Sequence, residues 1–499
     1  MNAEVVVVGG GIGGLTVAAL LAARGVDVCL LERESRVGGC AASFEKFGYS
    51  FEQGYGLYAG WEEGAIHHRL FSELPIDAPE VKLLDPSYSV RLPDQSEVSL
   101  VADVAAFEQN LARVFPECSE AAVAFYRKLG VLNSEFQKAV QNAPDVFEAL
   151  RPRRTLGFRL SSRETTRLLQ ASQQSTMDQL RDTSFRFQRF VDVQLQSLAQ
   201  APGTQVSFLY AALALSAGRG GLFGIRGGAS ALATTLADSI TKSGGRIRLN
   251  TPALRLAYSP AGEILGIDLL SGERVTASKA IISNLTIWDT YGKLVGLNRL
   301  SAEVRKQLKS KRGWGAYLLY LGWDETAAPD ARVDHLLTLT DWQEGSDYDP
   351  QTGQLFFCPT PAWDSRGPEG KRAVTLHSFT DVDDWFTFHS DETDLEARDQ
   401  QTLEACWQRL HTAMPELGNS IEVIDTTTPR AVYEETRRKL GMVGGLPVSL
   451  DFLQCDPPGF LTEVPSLFIV SDTVFPGGLA GLSHGALALA NKLTRQKPQ

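Results

Sequence analysis

Val5-Val6-Val7-Val8 is an unbroken β-branched run near the start of the chain, the pattern of a strand buried on both faces. Six residues dominated by glycine follow, Gly9-Gly10-Gly11-Ile12-Gly13-Gly14, and Leu15 to Ala23 then predicts a buried helix. Val26 to Leu31 predicts a second strand, and Gly48 to Gly54 a third that ends in a turn. Residues 102–200 change period. Apolar positions recur at helical spacing in Val101 to Val114, Ala121 to Leu132 and Phe185 to Leu198, which predicts a mostly helical insertion. From Leu222 the glycine-rich pattern returns. Leu232 to Ser243 reads as a helix closed by Gly244-Gly245, with strands at Arg246 to Leu249, Ala253 to Tyr258, Ile264 to Leu270 and Lys279 to Asn284. Trp314 to Trp323, Gln354 to Pro359 and Ala373 to Phe379 alternate as sheet, and Asp394 to Thr412 reads as an amphipathic helix. The chain closes on a strand, Leu467 to Ser471, a turn, and a helix of small residues, Gly481 to Leu493.

These elements predict an α/β protein of two parts. A nucleotide-binding part would be assembled from three segments, 1–85, 220–294 and 456–499. A second part, mixed sheet and helices, would come from 86–219 and 295–455, with 86–219 largely helical. A chain of 499 residues is long enough for both.

Composition narrows the partners. At 43% hydrophobic and 21% charged the chain can bury a large core, and its net charge of −11 argues against nucleic acid. The six cysteines form no CxxC pair, so neither a zinc site nor a disulfide framework is expected, and no metal. The first strand begins by Val5, leaving no room for a signal or transit peptide. The most apolar run, Val206 to Ala217, falls short of the roughly 20 residues that span a bilayer and reads as a core helix.

The spacing Gly9-x-Gly11-x-x-Gly14, with Gly13 inside it, lies between strand and helix, the context that a dinucleotide fingerprint needs. Gly9 would make the tight turn, Gly11 would admit a pyrophosphate, and Gly14 would let helix and strand pack closely. The helix start offers N–H groups and the positive end of a dipole to the anion. Glu32, at the end of the second strand with Arg33 beside it, can accept from both ribose hydroxyls of an adenosine. A glycine pair, Gly38-Gly39, extends the fingerprint.

Together these segments resemble the flavin-dependent amine oxidase/phytoene desaturase superfamily, with a Rossmann-type FAD-binding domain. The superfamily's C-terminal Gly-Asp-x-x-x-Pro-Gly motif appears as Ser471-Asp472-Thr473-Val474-Phe475-Pro476-Gly477, with serine for the first glycine. The resemblance implies that Asp472 holds the ribityl chain, with Pro476 and Gly477 completing the site. Within the superfamily the likeness is strongest to carotenoid desaturases, above all cyanobacterial C-3′,4′ desaturases, and to carotenoid cis–trans isomerases. It is carried by Glu63 to Arg69, Arg366 to Lys371, Thr428-Pro429-Arg430 and Gly441 to Gly445, over essentially the whole chain. It implies an FAD-dependent oxidoreductase that desaturates a carotenoid polyene, passing hydride to flavin N5. The alternative is a prolycopene-type isomerase using reduced FAD. A carrier that binds polyene without turnover and an amine oxidase are weaker readings. A single fingerprint leaves no second site for NAD(P)H, so an external electron acceptor such as oxygen or quinone is expected.

No catalytic cluster announces itself, and the catalytic residues stay unassigned. His67-His68 could be a metal pair, but adjacent helical residues point apart, so one buried and one exposed histidine is the expectation. His484 could stand near the flavin ring or serve structure. Asp381, Asp383 and Asp384 read as a solvated turn. Gly441 to Gly445 would bring backbone close to flavin and substrate, or form a plain surface turn. Between Arg151 and Phe190 nine arginines face three acids, a local +6 interleaved with Leu156, Phe158, Leu160, Leu168, Leu169, Phe185, Phe187 and Phe190. Such a stretch could dock the protein peripherally on the cytoplasmic face of a bacterial or thylakoid-type membrane, where carotenoids reside. An ordinary solvated helix face fits it equally.

Overall fold

The computed structural model describes residues 2–142, 162–327, 334–342, 348–386, 392–447 and 462–494. Strand Asn2–Val8 sits in the middle of a seven-stranded sheet. It pairs in parallel with Val28–Leu31 on one side and with Arg274–Ser283 on the other. Arg246–Arg248 and Leu467–Ile469 extend the parallel part, and Ala253–Tyr258 with Ile264–Leu269 adds an antiparallel edge. The sheet therefore gathers strands from the beginning, middle and end of the chain. Its valines and isoleucines are buried on both faces because helices Ile12–Ala23, Gly228–Lys242 and Gly478–Thr494 cover one side and residues 287–308 the other.

The second sheet also has seven strands, in the order Ile421–Thr427, Gly315–Asp324, Lys371–Thr380, Gln354–Pro359, Leu336–Leu339, Ser89–Arg91 and Glu97–Ser99. Alternation sends Tyr317, Leu319, Leu376 and Phe357 to one face, where they pack on Cys406 and Leu410 of helix Glu392–Ala413. The opposite face presents Leu318, Tyr320 and Ala373 to the hairpin formed by Phe44–Lys46 and Tyr49–Phe51. It presents Phe356, Cys358 and Leu337 to a helical layer built from Val104–Val114, Ser119–Asn142, Ser162–Gln173, Phe185–Ala199 and Phe208–Ala217.

The α/β class expected from the pattern is the one observed. Several boundaries move for local reasons. The first helix begins at Ile12 rather than Leu15, because extended Gly11 is its N-cap and Gly13 and Gly14 are already helical. The second strand begins at Val28, after a turn at Gly25 (φ +79°) that the apolar Val26 concealed. The Ala121–Leu132 pattern lies within one 24-residue helix. The two three-residue strands Ser89–Arg91 and Glu97–Ser99 are too short for periodicity to reveal. The apolar run before Ala217 forms a mostly buried ten-residue helix, and among the described residues no helix is long and apolar enough to cross a membrane.

Candidate functional site

The end of strand Asn2–Val8 and the start of helix Ile12–Ala23 form the first wall of the site. Gly9 turns the chain at φ +101°. A Cβ on Gly14 would stand 2.2 Å from the Gly9 carbonyl oxygen, so only glycine lets the helix pack on the turn. No side chain caps the helix at Gly11, and its first-turn N–H groups have no intrahelical acceptor. Gly13 lies against Val470 and Asn284, and Gly39 against Gly11. Gly38 donates its N–H to the Gly10 carbonyl at 2.8 Å, which fastens the glycine pair to the turn.

Glu32 is 9% exposed. Its Oε2 accepts from the Gly10 N–H at 2.6 Å and its Oε1 from the Glu34 N–H at 2.8 Å. Both carboxylate oxygens are thereby aimed, and each keeps lone-pair capacity for a ribose hydroxyl. Arg33 is directed elsewhere: it donates to the Glu435 carbonyl at 2.6 Å and pairs with Glu34 at 2.5 Å.

Asp472 forms the second wall. Ser471 before it is buried, and its hydroxyl binds the Thr473 hydroxyl at 2.8 Å while accepting the Thr473 N–H at 3.2 Å. Serine thus replaces the motif's glycine at no backbone cost, since its φ is not positive. Pro476 and Gly477 (φ +93°) lead into helix Gly478–Thr494. Asn284 joins the two walls: its N–H donates to the Val8 carbonyl at 2.8 Å and its Nδ2 to the Val470 carbonyl at 2.6 Å. Sequence reasoning passed over Asn284, which ends a predicted strand without any motif of its own.

The Gly441 to Gly445 segment closes over Asp472. A Cβ on Gly445 would lie 2.5 Å from the Asp472 carbonyl, and one on Gly444 would lie 1.8 Å from Gln200 Nε2. Gln200 Nε2 donates to the Val443 carbonyl at 2.9 Å, and Trp314 Nε1 donates to the Gln200 carbonyl at 3.2 Å. The segment is a knot between the helical layer, the second sheet and the Asp472 turn.

A row of rings runs from this knot along the second sheet. Trp314 and Phe379 have centroids 5.9 Å apart. His377, two residues before Phe379, shares its face of the strand and meets Tyr55 at 4.6 Å. Tyr55 meets Phe356 at 4.8 Å, and Phe356 meets Tyr88 at 5.9 Å. Tyr88 donates to Gln194 Oε1 at 3.1 Å in the helical layer. Burial pushes the His377 imidazole down to about 3, so it is neutral, and its buried Nε2 has no partner. Glu52, bordering this face, is held by Arg366 at 3.1 Å and by the Ala229 N–H at 3.2 Å.

The remaining candidates fall as follows. His67 is buried against Trp61 and His68 is exposed, as helical geometry requires. Among the described residues no three metal-ligating side chains come together. His484 lies near His67, and burial pushes it down to about 4. Asp383 pairs with Arg312 and Asp384 with Arg398, so the acidic turn is a surface ion-pair site. Of the basic stretch, residues 151–161, including Leu156, Phe158, Leu160 and four arginines, lie outside the described residues, as does Cys455. The described part is not an open basic face. Phe187, Phe190 and Leu168 are core residues, while Arg167 pairs with Glu135, Arg181 with Asp178, and Arg186 with Asp94.

The residues of the two walls fit FAD. An uncapped helix start, a carboxylate with aimed lone pairs and an acid on the closing turn match its diphosphate, ribose and ribityl groups. Residues 12–436 match the model of the family of flavin containing amine oxidoreductases, and the chain belongs to that family. It is an FAD oxidoreductase-type enzyme, and FAD is its cofactor. The chain is similar to the chloroplastic prolycopene isomerase of Arabidopsis thaliana, 24% identical over 98% of this chain and 82% of that protein. It is also similar to the all-trans-retinol 13,14-reductase of Homo sapiens, 24% identical over 99% and 86%. A solved oxidoreductase from Methanosarcina mazei shares the fold, with a TM-score of 0.64 and 16% identity over 98% of this chain and 99% of that one.

Proposed function

We propose that this flavin oxidoreductase desaturates a conjugated isoprenoid polyene of the carotenoid class. The observation that carries the reading is the face bearing the row of rings. Strands Gly315–Asp324, Gln354–Pro359 and Lys371–Thr380 contain a single carboxylate, Asp324, at the outer end of its strand. Such a face suits a hydrocarbon, and stacking against Trp314, Phe379, Tyr55, Phe356 and Tyr88 would hold a rigid conjugated chain along it. A cationic amine would need an unpaired anion there, and Glu52, the acid that borders the face, is already held by Arg366 at 3.1 Å. The names of the two relatives, a prolycopene isomerase and a retinol reductase, both specify conjugated isoprenoids and support the same class.

Desaturation removes a hydride and a proton from neighbouring carbons. When bound, FAD supplies the hydride acceptor. The proton would pass to water at the edge of that face; His377, pushed down to about 3 by burial, is too weak a base to hold it at neutral pH. The sheet and the helical layer exclude water from that face. In this reading residues 1–85, 220–294 and 456–499 hold FAD, and 86–219 and 295–455 hold the polyene. The reduced cofactor would be reoxidised by an external acceptor such as oxygen or quinone. A bilayer-dissolved substrate would bring the protein to a membrane surface.

A second reading, cis–trans isomerisation with reduced FAD, is favoured by the prolycopene isomerase relatives, which span 98% of this chain. Arg366 to Lys371 and Gly441 to Gly445 resemble carotenoid desaturases and isomerases alike and do not separate the two readings. Mass analysis of pigments after expression in lycopene-making cells separates them. Loss of two hydrogens supports desaturation, unchanged mass with altered geometry supports isomerisation, and unchanged pigment refutes both.

A further inference from the structure

Arg438 stands where the two walls of the cofactor site meet. Its guanidinium forms a forked pair with Asp472, Nη1 to Oδ1 at 3.2 Å and Nη2 to Oδ2 at 3.0 Å. Its Nε donates to the Met442 carbonyl at 2.7 Å, which places it on the glycine-rich knot. A guanidinium has five N–H donors. Three are used in these bonds. Beyond them the guanidinium donates to the Cys40 thiol, directly after Gly38-Gly39. Burial raises the thiol's pKa, so Cys40 is neutral and offers only a weak acceptor. A largely buried arginine, 13% exposed at its side chain, thus has donor capacity left over beside the glycine pair.

The charge around it is otherwise negative. Glu32 and Asp472 each contribute a carboxylate to the walls, and Asp289 lies within electrostatic reach of Arg438. The diphosphate of FAD would bring two further negative charges into this place. The helix start offers partial positive charge only. Arg33 and Arg36, the other arginines near the fingerprint, are directed to Glu34 and Glu435 on the outer side.

We propose that Arg438 is the counter-charge of the FAD diphosphate. Its pairing with Asp472 keeps the guanidinium planar and aimed, while the donors facing Cys40 take phosphate oxygens when the cofactor enters. Arg438 would then read the diphosphate, Glu32 the adenosine ribose and Asp472 the ribityl chain. One residue from the middle of the chain's last third would complete a site whose other parts come from its two ends.

Binding to the apoprotein tests this without turnover. Adenosine, ADP and FAD are titrated by calorimetry into wild type, Arg438→Gln, Arg438→Lys and Asp472→Asn. The expected result is that Arg438→Gln weakens ADP and FAD about 10- to 100-fold and leaves adenosine unchanged. Arg438→Lys keeps the charge but loses the fork, so ADP should weaken less, about 3- to 10-fold. Asp472→Asn should weaken FAD more than ADP. If Arg438→Gln fails to fold, the Lys variant decides. Unchanged ADP affinity in either folded variant overturns the proposal, because Arg438 would then act only through Asp472.

Discussion

Acid should destabilise this protein through its buried histidines before it protonates most of its carboxylates. His67, His335 and His377 are 1%, 4% and 8% exposed. Burial pushes His67 and His377 down to about 3 and His335 to about 4. The three are therefore neutral in the folded protein. In the unfolded chain each takes a proton near pH 6.5. Between those values the unfolded state binds more protons, so the stability they contribute is present in full above pH 6.5 and falls as pH drops. At pH 5 each histidine removes about 2 kcal/mol, and the three together about 6 kcal/mol as an upper bound. That is comparable with a whole stability of roughly 5–15 kcal/mol. Among the carboxylates Asp192, pushed up to about 6 by burial, titrates in this window with the opposite sign and offsets about 1 kcal/mol of the loss at pH 5, while ordinary carboxylates near 4 contribute little. The assay is urea denaturation of the FAD-loaded protein at pH 7.5, 6.0 and 5.0, with His67→Phe as the diagnostic variant. Phenylalanine keeps a ring against Trp61, where His67 stacks at 4.3 Å, and removes two buried ring nitrogens. The variant should lose about 2 kcal/mol of the pH dependence. A denaturation midpoint that stays flat from pH 7.5 to 5.0, or a pH slope unchanged in His67→Phe, would refute the reasoning.

Glu32→Ala should weaken FAD binding about 10-fold or more, since a hydrogen bond to a charged acceptor contributes about 1.5–3 kcal/mol, with the urea midpoint nearly unmoved; equal FAD affinity by fluorescence titration would show that the ribose is held elsewhere. Gly444→Ala should cost about 1–3 kcal/mol of stability and shift Trp314 fluorescence, because the new Cβ would collide with Gln200 Nε2. In a Gln200→Ala background the same change should cost less, and an unchanged cost would mean that the two residues do not touch. Arg153, Arg154, Arg159 and Arg163 changed together to Gln should release the protein from phosphatidylserine vesicles, at about 1 kcal/mol per charge; co-sedimentation equal to wild type, or no binding by wild type at low salt, would dispose of membrane docking through this stretch.

The cofactor half of the site was legible because its signal is local. Gly9, Gly11 and Gly14 lie within six residues of each other and between elements whose periodicity is strong, so the turn, the helix start and Glu32 could be placed from spacing alone. The proposed substrate half was not, because its signal is spatial. Tyr55 and His377 are 322 positions apart in the chain and meet only because strand Lys371–Thr380 lies beside the hairpin around Phe51. Arg438 carries no motif. Its meaning comes from Asp472, 34 residues later, and from Cys40, nearly 400 residues earlier. The basic stretch shows the same limit of a local window. Its net charge is real, but Glu135, Asp94 and Glu117 come from other segments to pair with Arg167 and Arg186, and a window confined to residues 151–190 cannot count them.

The two proposed halves also differ in what they demand of side chains. The first wall offers FAD chiefly backbone: helix N–H groups, turn carbonyls and glycines that admit close approach, with Glu32 aimed by two main-chain donors. Such a wall changes only by losing its glycines. The second sheet offers side chains instead, one from every other residue of three adjacent strands, and each can change without moving the strand. In this chain those positions are Leu318, Tyr320, Phe356, Cys358, His377 and Phe379; Leu318 and Tyr320 pack on the hairpin, and Phe356 and Cys358 on the helical layer. The knot at Gly441 to Gly445 ties that face to the Asp472 turn.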